Sequence, residues 1–347
     1  MKILLTLFST SWGGAEESVL QLVEGLSYRG FKVYLLWVSP YKVKLPKMAK
    51  VKICRLKMVG WLYRLIASFI IPFICWRYKI QLVNLNWRFV TEESRYLFFL
   101  KNVKVVATVR AILLDKNNVV EYRFTDAIIG VSMAVIKRIR RLGYQKKCFV
   151  IYNGIKVDKL KKFSLMKMNP CFLLSMSRLV RWKRIDWSIR AVYQLRQEGL
   201  SVKLDIFGDG PEKENLNELI MELKASKYIK LLGRIEKNDE RLANYGIFLL
   251  PSYAEPFGKT LVENVIRGKL IVATKSGAVP ELLLGYNLLF KRDIFEDYVQ
   301  KIRLGINNYS KYRKNILKME PYFKKYYNMA RVVENYKEVY KEILSLK

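Results

Sequence analysis

The 347-residue chain contains no histidine. That absence removes Ser-His-Asp and Cys-His nucleophiles, HExxH zinc sites and the facial iron triad, all of which need an imidazole. Cysteine is scarce. Cys54, Cys75, Cys148 and Cys171 form no CxxC pair and show no metal-ligand spacing, so they read as reduced, mostly buried thiols of a cytoplasmic protein. No GxxxxGK[ST] occurs, which excludes a P-loop, and SWGGAEES lacks the GxGxxG spacing of a nicotinamide fingerprint. There is no DxD, which weighs against a metal-bridged nucleotide site. Long apolar runs are missing too. The uncharged window 65–76 is too short to span a bilayer and carries Pro72. MKILLTLFSTSW at the start is too short for a signal peptide and reads as a first strand.

Acid is the other shortage. The chain has 30 Asp+Glu against 63 Lys+Arg, a net charge of +33. Between Glu24 and Glu92 there is no acid at all, while 13 Lys and Arg occur. The run includes Lys42, Lys44, Lys47, Lys50, Lys52, Arg55 and Lys57, and leads into WLYRLIASFIIPFICW at 61–76. Basic residues followed by an aromatic-flanked apolar segment suit an anionic membrane surface, at about 1 kcal/mol per cation near the lipid. A buried helix packed on a sheet is the alternative reading of 61–76.

What is present is an alternation of strand and helix patterns. Strands are expected at 2–8, 32–38, 81–87, 103–109, 126–132 and 147–154, with a first helix near 15–28 and Ser132 as a cap for the helix after it. The pattern restarts with strands at 171–177, 203–210, 229–235, 247–253 and 269–275, and helices at 184–197, 212–225 and 259–267. Short, fully apolar strands between helices predict parallel sheets covered on both faces. Two such sets predict an α/β protein of two Rossmann-like, doubly wound domains, 1–155 and 168–325, with a final helical segment at 326–347 packing back toward the first. Their ligand cleft would lie at the carboxyl ends of the strands.

Several strand-end residues carry candidate chemistry. Gly13 and Gly14 open a helix whose free N–H groups can face an anion, and Gly208 ends a strand in the same manner. Arg178 and Lys183 share the loop SRLVRWK; an arginine fork and a movable ammonium suit a diphosphate that gains charge as it leaves, worth roughly 3–4 kcal/mol each. Each signal has a structural alternative: a turn glycine, or one more solvated cation among many.

Taken in order, the Gly-Gly loop, SRLxxxK, FGDGP, LLG, SYAEPFGxxxxE and SGAVPEL resemble glycosyltransferase family 4, the retaining GT-B nucleotide-sugar transferases. The resemblance implies that Glu255 bonds hydroxyls of the donor sugar and that Glu263 takes the ribose hydroxyls. It further implies that Phe257, Gly258, Thr260 and Leu261 offer backbone groups to sugar and diphosphate, with Arg178 and Lys183 on the diphosphate and Gly208 and Gly14 near it. Arg178, Lys183 and Glu255 are the expected catalytic residues. Gly13 and Arg110 are candidates on the acceptor side. Arg110 stands where the family commonly has a histidine near the reacting sugar, and Ala278 where a second glycine is frequent.

The expectation is therefore a metal-independent, retaining hexosyltransferase with no cofactor beyond its nucleotide-sugar co-substrate. Its acceptor would be a lipid-linked or other envelope saccharide. It would work in the cytoplasm at the inner face of a membrane, held there by the basic 25–91 region, with no specific nucleic-acid partner. A non-catalytic polyanion or membrane-surface binder, and another GT-B enzyme such as a phosphorylase or epimerase, are the competing readings.

Overall fold

A computed structural model describes residues 1–8, 13–38, 51–56, 62–86, 100, 102–113, 121–161 and 168–345. The chain divides into two compact units, one of residues 1–154 and 329–347, the other of residues 155–328.

The first unit holds a seven-stranded sheet ordered β3-β2-β1-β4-β5-β6-β7. Its strands are β1 (Lys2–Phe8), β2 (Lys32–Val38), β3 (Val51–Leu56), β4 (Leu82–Leu85), β5 (Lys104–Val109), β6 (Ala127–Gly130) and β7 (Lys147–Val150). All pair in parallel. Helices α1 (Gly14–Tyr28), α2 (Leu62–Tyr78) and α3 (Met133–Arg141) connect them. Ser132 caps α3, its hydroxyl accepting from Val135 N–H at 3.2 Å, so the serine expected to start that helix does so.

The second unit holds a six-stranded parallel sheet ordered β10-β9-β8-β11-β12-β13. The strands are β8 (Asn169–Met176), β9 (Lys203–Phe207), β10 (Ile229–Leu231), β11 (Tyr245–Leu250), β12 (Leu270–Thr274) and β13 (Leu289–Phe290). The helices are α4 (Ile185–Gln197), α5 (Lys213–Glu222), α6 (Lys259–Ile266), α7 (Val279–Leu282), α8 (Phe295–Asn307) and α9 (Tyr309–Tyr326). The last helix, α10 (Met329–Ser345), returns to the first unit.

α10 belongs there because its apolar stripe has a matching partner. Val332, Val333, Tyr336, Tyr340 and Ile343 are buried at helical spacing against Val19, Leu22, Val23 and Leu26 of α1. Gly25 permits the approach: a Cβ there would stand 2.4 Å from Val333. Arg29–Glu334 and Lys147–Glu342 ion pairs rim the contact. The tyrosine hydroxyl of Tyr340 then accepts from the side-chain amide of buried Asn84, whose Oδ1 accepts from the Thr108 hydroxyl at 2.9 Å. Burial, with neighbouring Tyr336 adding to it, pushes the Tyr340 phenol well above its usual range, against smaller opposing effects of the Asn84 hydrogen bond and the Arg110 charge.

In both sheets the chain builds outward to one side and then returns to the other. The reversals fall between β1 and β4 and between β8 and β11. Such switch points leave a crevice outside the carboxyl ends of the strands, where ligands of open α/β sheets bind.

Candidate active site

In the second unit, the loops leaving β8, β9, β11 and β12 carry most of the expected site residues. Three close backbone approaches join those loops in two pairs, β9 to β8 and β12 to β11. Gly208 and Gly210 lie so near the 177–179 segment that a Cβ would stand 1.9 Å from the Ser177 carbonyl and 2.3 Å from that of Leu179. Leu179 N–H donates to the Asp209 carbonyl at 3.0 Å, completing the clasp. Gly208 therefore positions the Arg178 loop. The third approach is at Gly277, with φ of +60°, where a Cβ would stand 2.2 Å from the Glu255 carbonyl. Only glycine tolerates both the left-handed backbone and that distance. Ala278 N–H donates to the same carbonyl at 2.8 Å, and Ala278 itself has φ of −78°, so the missing second glycine leaves no strain.

Lys183, in the β8 loop, meets Glu255, in the β11 loop. Lys183 Nζ lies 2.5 Å from Glu255 Oε2, with side chains 11% and 7% exposed. The Lys183 ammonium also sits 4.3 Å from the Trp182 ring centroid. Tyr253 N–H donates to the Trp182 carbonyl at 2.8 Å, tying the β8 loop to the β11 loop across the switch point. A buried ion pair of this kind is held by geometry; losing one partner would strand the other charge away from water. Arg178 is exposed at the start of the same loop and forms no ion pair among the described residues.

Gly258 caps α6 with φ of +87°. The following N–H groups, of Lys259, Thr260 and Leu261, occupy the first turn, where a helix leaves its donors unbonded internally. No acid stands in that turn. The positive end of this helix is thus available to an anion. The contrast with α1 is informative. Gly13 and Gly14 begin α1 with an extended Gly13, but Glu16 and Glu17 occupy its first turn and already complement the dipole. Ser11 and Trp12, the first half of that motif, lie outside the described residues.

Glu263 is buried on α6, and its Oε1 lies 3.0 Å from Lys237 Nζ. Beneath it, Arg267 is also buried, and its guanidinium donates to the Lys237 carbonyl. Burial lowers the Arg267 pKa, while Glu263 opposes the shift. Phe257 packs its buried ring edge-on to Tyr327, with centroids 5.7 Å apart. The structure thus brings Lys183, Glu255, Phe257, Gly258, Thr260, Leu261 and Glu263 onto one loop–helix segment and its neighbours.

Sequence reasoning missed Lys237, Arg267 and Arg184. Arg184, in a left-handed conformation at φ of 51°, stacks its guanidinium 4.9 Å from Tyr253 and pairs with Asp293. Its non-glycine left-handed backbone has no sequence signature, and the Lys237–Glu263 contact joins residues far apart in the chain. Arg267 follows the segment LVENVI, whose residues are all buried, and no sequence pattern separates a buried cation there from an exposed one.

Arg110 lies in the first unit at the carboxyl end of β5. Its guanidinium donates to Asn153 and, at 3.3 Å, to Asn86, which follows β4. Two amide oxygens therefore fix the guanidinium expected on the acceptor side. Among the described residues no cluster of three or more His, Cys, Asp or Glu is placed to hold a metal ion.

Two parallel α/β sheets, each reversing at a switch point, are the GT-B architecture, and the crystal structure of Anabaena Alr3699/HepE in complex with UDP and glucose superposes with a TM-score of 0.80 at 20% identity, covering 99% of this chain and 100% of that one. The chain belongs to the family 4 glycosyltransferases: residues 12–159 match the Glycosyltransferase Family 4 model and residues 156–319 the Glycosyl transferases group 1 model. Among curated relatives, the UDP-N-acetylglucosamine–peptide N-acetylglucosaminyltransferase GtfA subunit of Streptococcus parasanguinis is 31% identical over 166 residues, 45% of this chain and 32% of that protein. The lipopolysaccharide core biosynthesis glycosyltransferase LpsE of Rhizobium meliloti is 28% identical over 159 residues, 45% of this chain and 46% of that protein. The match thus spans about a third of the streptococcal relative's length and under half of the rhizobial one's.

Proposed function

We propose that this chain transfers a hexose from a nucleoside-diphosphate sugar to a hydroxyl acceptor, with retention of anomeric configuration. The observation that carries the reading is the Lys183–Glu255 pair beside the acid-free N-terminus of α6, with Glu263 buried further along the same helix. Diphosphate would be gripped by Arg178, Lys183 and the first N–H groups of α6. As the sugar–phosphate bond breaks, these donors meet growing negative charge, which is where preorganised donors lower a barrier most. Glu255 would then exchange Lys183 for hydroxyls of the sugar, and Glu263 would exchange Lys237 for the ribose. In a retaining, front-face displacement the departing phosphate oxygen takes the acceptor proton, so no histidine base is required. The relatives' names favour a UDP-sugar donor, with HepE holding UDP and glucose and the streptococcal protein named for UDP-N-acetylglucosamine.

A lipid-linked or envelope saccharide acceptor, at the cytoplasmic face of a membrane, fits the basic, acid-free stretch of the first unit. The lysines of that stretch from 42 to 50, and Lys57, lie outside the described residues. No helix among the described residues is long and apolar enough to cross a membrane. The reading is tested by incubating the protein with candidate UDP-sugars and a polyprenyl-diphosphate saccharide, with and without EDTA. Release of free UDP with an axial product linkage from an axial donor supports it. An inverted product, sugar 1-phosphate as product, or activity abolished by EDTA and restored by a divalent cation each removes a stated part.

A further inference from the structure

Helix α2 is apolar on both of its faces, yet among its described side chains, from residue 69 onward, one face is buried and the other is not. Ile71, Ile74 and Cys75, at helical spacing, are buried, with Ile80 beyond the helix end, and burial pushes the Cys75 thiol up to about 12. On the opposite side, Phe69, Phe73 and Trp76 are 73%, 59% and 73% exposed. Their spacing of four and then three residues sets them in one line along the helix. Phe73 and Trp76 are near neighbours, with ring centroids 6.2 Å apart. A surface helix normally turns a polar face to water, and a contiguous exposed aromatic line of this kind marks a contact surface.

The charge around the line selects what covers it. Arg77 and Lys79, just past Trp76, are exposed, and α2 lies within the stretch from 25 to 91 that contains 13 cations and no acid. Aromatic rings beside cations are the composition of the headgroup boundary of an anionic bilayer, where rings sit among glycerol and upper acyl carbons and cations meet phosphate. The helix has 17 residues with Pro72 inside it, which suits lying in that boundary rather than crossing it.

We propose that the outer face of α2 is a monotopic membrane anchor, with Phe69, Phe73 and Trp76 inserted into the boundary of an anionic bilayer and Arg77 and Lys79 on its phosphates. The inference rests on the membrane reading above and names the surface that performs it. It also separates two contributions. The cations give a salt-sensitive attraction that is screened within about 10 Å at 0.1 M salt, whereas the rings give an attraction that salt leaves intact.

The test uses the full chain, vesicles of phosphatidylcholine with and without phosphatidylglycerol, and the variant Phe69→Ser/Phe73→Ser/Trp76→Ser. These side chains are on the surface, and an unchanged circular dichroism spectrum together with an unchanged nucleotide thermal shift establishes that the variant is folded. The wild type is expected to sediment with anionic vesicles and to retain part of its binding at high salt. The triple variant should bind at least about tenfold more weakly at low salt and lose the salt-resistant part. Bromine-labelled acyl chains should quench wild-type tryptophan emission more than that of Trp76→Phe. Equal binding by wild type and triple variant overturns the anchor while leaving an electrostatic membrane association in place. No wild-type binding to either vesicle overturns both, and a wild-type dimer that the triple variant dissolves assigns the aromatic face to a second copy instead. Donor-induced thermal stabilisation, measured without lipid, reports on the transferase reading independently of all three.

Discussion

Lys269 lies immediately before β12 with none of its surface exposed. Its Nζ donates to the carbonyls of Leu242 and, at 2.7 Å, Tyr245, so it ties the exit of the Glu263-bearing helix to the chain entering β11. Burial, with Arg267 and Arg313 adding repulsion, lowers its pKa from 10.5 to about 7. In the unfolded chain the same group titrates near its ordinary value. Between those two values the unfolded state therefore holds a proton that the folded state has released. Stability must rise with pH across that window, by about 1.4 kcal/mol per pH unit, and level off beyond it at both ends. From pH 7.5 to 9.5 the lysine alone contributes roughly 2–3 kcal/mol of increase. Other cations of a chain at +33 also relieve repulsion as pH rises, so the useful quantity is the difference from Lys269→Met. That variant removes the titration and leaves two buried carbonyls short of a donor, at roughly 1–3 kcal/mol each. Urea denaturation at several pH values should show the wild type gaining about 2–3 kcal/mol on the variant over those two units. Parallel stability curves, agreeing within about 0.5 kcal/mol throughout, would refute the assignment of a largely neutral buried lysine.

Gly277→Val introduces a Cβ 2.2 Å from the Glu255 carbonyl on a backbone of φ +60°, and calorimetry should record a loss of at least about 2 kcal/mol together with weakened donor binding. Lys183→Ala strands the Glu255 carboxylate in a nearly buried setting and should cost about 3–5 kcal/mol, whereas Lys183→Ala/Glu255→Ala should recover a large part of that; a double-variant cycle showing simple additivity would deny the coupling. Tyr340→Phe removes the acceptor of a buried Asn84 N–H, and the predicted loss of about 1–2 kcal/mol in urea is to be compared with that of a surface Tyr→Phe control such as Tyr28→Phe, which should be neutral.

The strands of both sheets were legible where apolar residues form compact runs between turn signals. β1 and β2 begin and end where the sequence places them, and the expected strands at 126–132, 147–154, 203–210 and 229–235 each carry their turn residues beyond the true ladder end. β3 was not foreseen. VKICRL alternates cations with apolar residues, and the density of lysine around it drew the reading toward a surface run. β13, with only Leu289–Phe290, is too short to carry a period. For 61–76, the described side chains from 69 onward show a helix that buries one face and exposes the other; a sequence apolar all round cannot say which side the sheet takes.

The site was legible to the extent that its residues are contiguous. Glu255, Phe257, Gly258, Thr260, Leu261 and Glu263 share one short segment, and the glycines that seat it mark close backbone contact. What sequence could not show is who occupies the carboxylates. Lys183 and Lys237 reach Glu255 and Glu263 from other loops, held there by the Tyr253–Trp182 backbone bond in the first case and by the Arg267 bond to the Lys237 carbonyl in the second. Arg110 shows the same limit, since its two asparagine partners come from different strand ends.

The central claim is that the second unit binds a nucleoside-diphosphate sugar through Glu263 and the N-terminus of α6. It is tested most directly by thermal shift with UDP, GDP, ADP and their sugar conjugates, on the wild type and Glu263→Ala. A ligand at 100 times its dissociation constant adds about 2.7 kcal/mol of stability, well within such an assay. The account predicts that one nucleotide series, uridine on present reasoning, stabilises the wild type and binds the variant roughly 10- to 100-fold more weakly, as loss of a charged hydrogen bond requires. Equal stabilisation of both proteins, or none of either while anionic vesicles bind, would contradict it.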